Sequence, residues 1–309
     1  MRPCCLLLCA ALAACASDGD FEQPGADDPT ARPWEMAGSW YPEDPDDLDD
    51  AVDDLLGEVD AGEPRPALAI LTPHAGLRSS GPTAAEIFAR TEFPDRIILL
   101  APDHYGDGAR TAIWDQGPWL VPGHAIAIDD ELVEELAGAL PDLERDTVPF
   151  GYHEEEMQLP FLQSLRPEAA IAPVAIFDNA RHHFEEFDPE RIIAWGDALA
   201  GILRAHADAG ERVLLLATTD LTHHETLEVS DQLDPVLLEF VAALDVEGLH
   251  DHVTGEEISI CGEIPTAIMM ATLRALGRDS MEIVARGNNF HNTDDDTDVV
   301  GYPAAAAWE

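Results

Sequence analysis

The stretch that decides the fold is Ala67 to Arg78, ALAILTPHAGLR. Ala67 to Leu71 is apolar without alternation, the pattern of a strand covered on both faces of a parallel sheet. Pro73 cannot continue a central ladder, and Gly76 permits a sharp turn. His74 is therefore expected just past the carboxyl end of a strand, where open α/β sheets place their ligands. The same grammar recurs at RIILLA (96–101), which runs into Pro102-Asp103-His104-Tyr105, and at VLLLAT (213–218), which runs into Thr219-Asp220-Leu221-Thr222-His223-His224. Three strands are thus expected to deliver histidines to one edge of one sheet.

Working outward, the 309-residue chain is long enough for one large α/β domain, and no repeat or linker divides its body. It carries 62 acidic and 16 basic residues, a formal net charge of -46. Every basic residue is arginine. The absence of lysine rules out a P-loop lysine, a Schiff-base lysine and a lysine general base. So acidic a chain is expected to avoid nucleic acid and anionic membrane surfaces, because like charges repel. The plain account of the charge is a solvated acidic surface.

The N-terminus reads MRPCCLLLCAALAAC. Arg2 precedes an apolar run from Leu6 to Ala14, too short to span a bilayer as a mature helix. Leu12-Ala13-Ala14-Cys15 resembles a bacterial lipobox, with Cys15 as the lipidated residue. The alternative is an ordinary secretory signal. Residues 1–15 are read as a lipoprotein signal, 16–33 as a disordered acidic tether, and 34–309 as the folded domain. The expected location is the cell envelope, with membrane contact only through the lipid. Cys261 is then the one thiol of the folded body, and a lone thiol in an oxidising compartment is either buried and inert or has a role.

Along the body, helices are expected at 45–56, from 81 onward, at 129–140, 189–206, 231–244, 246–252 and 265–276. Further strands are expected at 111–114, 119–121, 169–176, 281–285 and 299–305. Alternating strands and helices imply a mainly parallel central sheet with helices on both faces. Gly151 to Pro160 reads as a loop that enters a helix.

His74, His104 and Cys261 each follow an apolar run and sit beside or near a glycine. Two imidazoles and a thiolate suit Zn, Cu or Fe, and three protein ligands leave a coordination position open. No local spacing links them, and a lone histidine is more often structural than ligating. His124, His182, His183, His206, His250 and His252 are read as structural or surface residues. Asp220 and His223 can supply an acid/base pair, with the aspartate fixing the imidazole tautomer, or can equally be a helix cap and a backbone-bound ring. His153 and Glu156, one helical turn apart, can face one cleft or simply cap a helix. Asp294, Asp296 and Asp298 have the one-three-five spacing of a calcium loop, but the required glycine is missing, so a solvated acidic turn is expected. No glycine-rich phosphate loop follows a strand, and there is no Gly-x-Ser-x-Gly elbow.

The segments AGSWYP (37–42), PHAG (73–76), PDHY (102–105), HEEEMQLP (153–160), TTDLTHH (218–224) and ICG (260–262), in this order, resemble the Memo-like protein family, whose bacterial members are known as AmmeMemoRadiSam system protein B. The resemblance implies a fold similar to that of the class III extradiol dioxygenases, which use non-haem iron. It implies metal ligands at His74, His104 and Cys261, with Asp220 and His223 lining the same cleft. Gln158 departs from the histidine that relatives often carry. Animal relatives are associated with iron or copper binding and with phosphopeptide binding.

The resulting expectation is a metal-dependent, dioxygenase-like oxidoreductase acting on O₂ or a small molecule. Fe(II) is the first choice of cofactor and Cu or Zn the alternatives. A non-catalytic metal carrier and a peptide-binding module that reuses an enzyme cleft are the competing expectations.

Overall fold

A computed structural model describes residues 23–178 and 188–309. Cys15, the proposed signal, tether residues 16–22 and the pair His182 and His183 lie outside the described residues. The elements run α1 (Pro45–Gly57), β1 (Ala67–Thr72), α2 (Leu77–Phe88), β2 (Arg96–Asp103), β3 (Thr111–Ile113), β4 (Trp119–Val121), β5 (His124–Ile128), α3 (Asp130–Ala139) and β6 (Glu144–Arg145). They continue with α4 (Leu159–Leu165), β7 (Ala170–Phe177), α5 (Pro189–Ala209), β8 (Val213–Thr218), α6 (Leu227–Ala242), α7 (Val246–Gly255), α8 (Glu263–Ala275), β9 (Glu282–Asn288), α9 (Phe290–Thr293) and β10 (Gly301–Trp308).

The main path of the sheet has the order β4-β5-β7-β2-β8-β1-β10-β9. From β5 to β1 every pairing is parallel, whereas β10 returns antiparallel to both β1 and β9. The unbroken apolar runs have a direct cause in the packing. In β2, Ile97 and Leu99 enter the core that α1, α2 and α4 cover, while Ile98 and Leu100 enter the core under α3, α5, α6, α7 and α8. A strand with both faces in a core cannot alternate apolar with polar. The expected α/β domain with a mostly parallel sheet is borne out.

Local differences from the sequence reading are instructive. Helix α2 starts at Leu77, not near Gly81, and carries Pro82 inside it. Gly76 does not adopt a positive φ; its value is -58°. A side chain there would instead meet the Trp40 carbonyl oxygen at 3.3 Å, so the glycine serves close backbone approach. Strand β5, which the sequence pattern does not mark, forms a hairpin with β4 across Pro122-Gly123. Helix α6 begins at Leu227, four residues before the expected start, where Thr226 caps it.

The tether also ends earlier than expected. Gln23 Nε2 donates to the carbonyls of Val121 (3.0 Å) and His124 (2.7 Å). Arg32, assigned to the tether from composition, is buried, stacks over Trp119 at 4.3 Å and donates to the carbonyls of Phe150 and Tyr152. Its burial is possible because a buried carboxylate neutralises it, as described below. Among the described residues no helix is long and apolar enough to cross a membrane.

Candidate metal centre

In the sheet, β8 lies between β1 and β2, so the carboxyl ends of three adjacent parallel strands open at one place. His74 leaves β1, His104 leaves β2, and Thr218 ends β8. Cys261 comes from 187 residues beyond His74 and docks beside β8 through a single antiparallel bridge between Asp220 and Cys261. The Cys261 carbonyl accepts from Asp220 N (3.2 Å) and from Thr219 Oγ1 (2.7 Å). Gly262 makes this docking possible: its φ is +105°, and a Cβ there would stand 2.5 Å from the Thr218 carbonyl oxygen.

The expected ligands converge. His74 Nε2 is 3.2 Å from Cys261 Sγ, and the His74 and His104 ring centroids are 5.4 Å apart. One ligating atom from each of His74, His104 and Cys261 can be chosen so that all three lie within 4.8 Å of one another. The rings are also held in useful tautomers. His104 Nδ1 faces the Asp178 carbonyl oxygen at 3.3 Å. Because a carbonyl only accepts, that nitrogen carries the proton and the Nε2 lone pair turns to the cleft. His74 Nδ1 meets the Thr218 hydroxyl at 2.9 Å.

Electrostatics suit a cation. Burial lowers the pKa of His74 well below the usual imidazole value, and neighbouring His104, His153 and His223 add to the shift. Burial likewise lowers His104 to about 4 and His153 to about 3. These imidazoles are therefore neutral and free of the proton that competes with a metal. The Cys261 thiol is pushed well above its ordinary value by burial, then by Asp220. Only a bound cation would hold it as the thiolate that ligates. The donor set fits Fe, Cu or Zn and does not distinguish among them.

Asp220 and His223 both reach this place. Asp220 Oδ1 accepts from the His74 backbone N–H at 3.0 Å, and burial raises the carboxyl to about 7. The expectation that Asp220 sets the His223 tautomer is corrected. His223 Nδ1 lies between two carbonyls, Leu221 at 2.7 Å and Ser259 at 2.8 Å, which fix the proton there. The free Nε2 then points at Cys261 Sγ, 3.4 Å away. Asp220 positions the His74 turn instead.

The HEEEMQLP segment is split by its geometry. His153 faces the cleft, with its ring 5.8 Å from that of His74 and 5.7 Å from that of His104, and it packs against Trp40 in a tilted contact at 4.2 Å. Glu156, for which the sequence allows either the cleft or a capping role, faces away. Its carboxylate accepts from Arg32 Nη1 (2.6 Å), the backbone N–H of Glu35 (2.9 Å) and Met36 (2.8 Å), and the Tyr41 hydroxyl (2.6 Å). The physical reason is that residues 153–155 form an irregular turn before a short 3₁₀ helix, so the four-residue helical repeat does not apply. Gln158 donates to the Pro73 carbonyl at 3.0 Å and supports the His74 turn.

Three contributors were missed from sequence. Thr218 ends β8 and Asp178 directly follows β7, and the strand-end rule that selects His74 selects them too. Glu154 has no such signal. It is buried, yet its Oε1 has no hydrogen-bond partner among the described residues and stands 3.6 Å from His104 Nε2 and 3.8 Å from His153 Nδ1. Burial, then the Glu155 carboxylate, raises the pKa of Glu154 well above its usual value. The acidic run 294–298 is an exposed turn. A surface cavity of about 480 Å³ beside Ile193, Val246 and Arg274 lies away from these residues and has no histidine or cysteine in its lining.

The fold and cleft define a class: an α/β protein whose parallel strand ends gather neutral imidazoles and a thiol around a candidate metal position. Residues 32–306 match the family described as Memo: Memo-like protein, and the chain belongs to it. A MEMO1 family protein of Aquifex aeolicus (strain VF5) is 30% identical over 269 residues, covering 86% of this chain and 95% of its own. One from Methanosarcina barkeri (strain Fusaro / DSM 804) is 29% identical over 271 residues, covering 87% and 97%. A solved structure of an uncharacterized protein from Escherichia coli K12 aligns over 76% of this chain and 98% of its own with a TM-score of 0.46 and 13% identity, too distant to bear on function. The family resemblance read from the six motifs is thereby borne out.

Proposed function

We propose that the cleft is a mononuclear metal centre of an oxidoreductase, with Fe(II) as the ion of choice and Cu or Zn as alternatives. His74 Nε2, His104 Nε2 and Cys261 Sγ are its ligands. The observation that carries this reading is the convergence of those three atoms, two on imidazoles kept neutral by burial and one with its backbone pinned beside β8. Such an ion supplies Lewis-acid polarisation and, for Fe or Cu, one-electron exchange. The chain's own residues do the rest. His223 holds a lone pair at Nε2 within the cleft and accepts or returns a substrate proton there. Asp220 fixes the His74 turn, and the Asp178 carbonyl fixes the His104 ring. Trp40 and His153 wall one side against water. The substrate class is O₂ or a small molecule that fits between these walls.

The reading also places the protein at the cell envelope, held by a lipid on Cys15. Its support is the Leu12-Ala13-Ala14-Cys15 pattern alone. Labelling with a radioactive or alkynyl fatty acid tests it. Loss of label in Cys15→Ser is expected, and a variant that labels and sediments with membranes like the wild type overturns it.

Metal analysis after anaerobic loading with Fe(II), Cu(I) or Zn(II) tests the centre. One ion per chain is expected in the wild type and far less in Cys261→Ala with unchanged circular dichroism. Equal metal in both proteins removes the proposed ligand set. Oxygen uptake by the Fe(II)-loaded protein with catechols then separates an enzyme from a carrier. A full site without turnover favours the carrier.

A further inference from the structure

A second group of ligating atoms adjoins the first. His104, His153 and Glu154 can also present one ligating atom each within 4.8 Å of one another, as His74, His104 and Cys261 do. Glu154 is 1% exposed and its Oε1, unpartnered among the described residues, is aimed between the two rings. An unpartnered carboxylate oxygen in a buried place is costly, and a cation is the partner that satisfies it. Two imidazoles and one carboxylate form a donor set with open coordination positions remaining, and its carboxylate oxygen suits a hard ion such as Mn(II).

The two groups meet at one atom. His104 offers the cleft only Nε2, because Nδ1 is turned to the Asp178 carbonyl at 3.3 Å. One lone pair serves one ion. We infer that the cleft has two alternative stations for a single metal ion, a sulfur station at His74, His104 and Cys261 and an oxygen station at His104, His153 and Glu154, sorted by the softness of the ion. Thiophilic ions such as Cd(II) or Cu(I) take the first, borderline Fe(II) stays with the thiolate there, and a hard ion such as Mn(II) takes the second. Exchange between stations needs only a move around His104. The competition rests on the centre proposed above, whereas the oxygen station stands without it.

Electron paramagnetic resonance of Mn(II) reads the oxygen station, and the ultraviolet thiolate-to-metal absorption of Cd(II) reads the sulfur station. Cys261→Ala removes the sulfur station and is expected to keep one Mn(II) per chain. Adding Glu154→Gln to it should weaken Mn(II) by at least about tenfold, the smallest loss typical even of an outer partner of a ligand. His153→Asn in the same background should do likewise, and it serves as the second variant should Glu154→Gln fold poorly. Mn(II) affinity unchanged by both substitutions, or no Mn(II) binding by Cys261→Ala, overturns the oxygen station and leaves the first centre untouched. In the wild type, one equivalent of Cd(II) should release Mn(II) one for one as the thiolate absorption grows. Full thiolate absorption with Mn(II) still bound overturns the sharing of His104. Absence of the thiolate absorption in the wild type counts against the centre proposed above, and not against the Mn(II) result in Cys261→Ala.

Discussion

Glu154 and Glu156 stand two residues apart, and both are buried, yet one is surrounded by donors and the other by none that reach Oε1. Glu156 meets a guanidinium, two backbone N–H groups and a phenol. Glu154 meets the edges of two neutral imidazoles. A buried carboxylate of the first kind ties chain segments together, because its charge is fully compensated. One of the second kind leaves Oε1 uncompensated in the metal-free fold, at the place where the cation proposed above would bind. The difference teaches that burial alone does not assign a role to an acid; the count of donors does.

The largest test of this contrast is Glu156→Ala. It strands Arg32 in the core and should cost about 3–5 kcal/mol, as broken buried ion pairs do. Urea unfolding measures it, and a variant as stable as the wild type would break the contrast. Tyr41→Phe removes one donor from the same carboxylate and should cost about 1.5–3 kcal/mol, the range for hydrogen bonds to charged groups.

Glu155, between the two, gives a pH test. Burial raises its carboxyl to about 8. Between its unfolded value and pH 8 the folded chain holds a proton that the unfolded chain has released, so stability falls as pH rises. Above the ordinary histidine value of about 6.5 the imidazoles of His74, His104 and His153 are neutral in both states and do not oppose this trend. The metal-free protein should lose roughly 1–2 kcal/mol of Glu155-dependent stability from pH 6.5 to pH 8, and Glu155→Gln should flatten the profile by that amount. An unchanged slope in the variant counts against the assignment. The smallest effect is expected from Glu154→Gln without metal, within about 1 kcal/mol of the wild type, since no bond to Oε1 is lost. A loss as large as that of Glu156→Ala would erase the distinction between the two acids.

Much of the fold was legible because the chain writes its central strands as unbroken apolar runs that stop at Pro, Asp or Gly. That signal is local, and it located His74, His104 and the 220–223 turn at strand ends. Cys261 was legible by elimination of the other thiols together with the family motif ICG. The rest depends on contacts that no local pattern encodes. Arg32 lies in a stretch with the composition of a linker, and only its distant partners Trp119, Phe150 and Glu156 make it part of the body. The family match beginning at residue 32 agrees with this. In HEEE the sequence leaves His153 and Glu156 open between a shared cleft and a helix cap, and because an irregular turn has no fixed repeat, no spacing tells Glu156 from Glu154. His223 shows a third limit: its tautomer is set by carbonyls of Leu221 and Ser259, and backbone direction cannot be read from residue type.

The order of Cys261 and β10 after both histidines bears on when the candidate centre is assembled. The backbone of the 221–222 turn is held by Gly301, through Leu221 N to the Gly301 carbonyl at 2.7 Å and Gly301 N to the Thr222 carbonyl at 2.9 Å. A chain synthesised only through β8 therefore has both histidines but neither Cys261 nor the Gly301 contacts. On the proposed reading, the sulfur donor set would be complete only once Cys261 has been synthesised and docked beside β8.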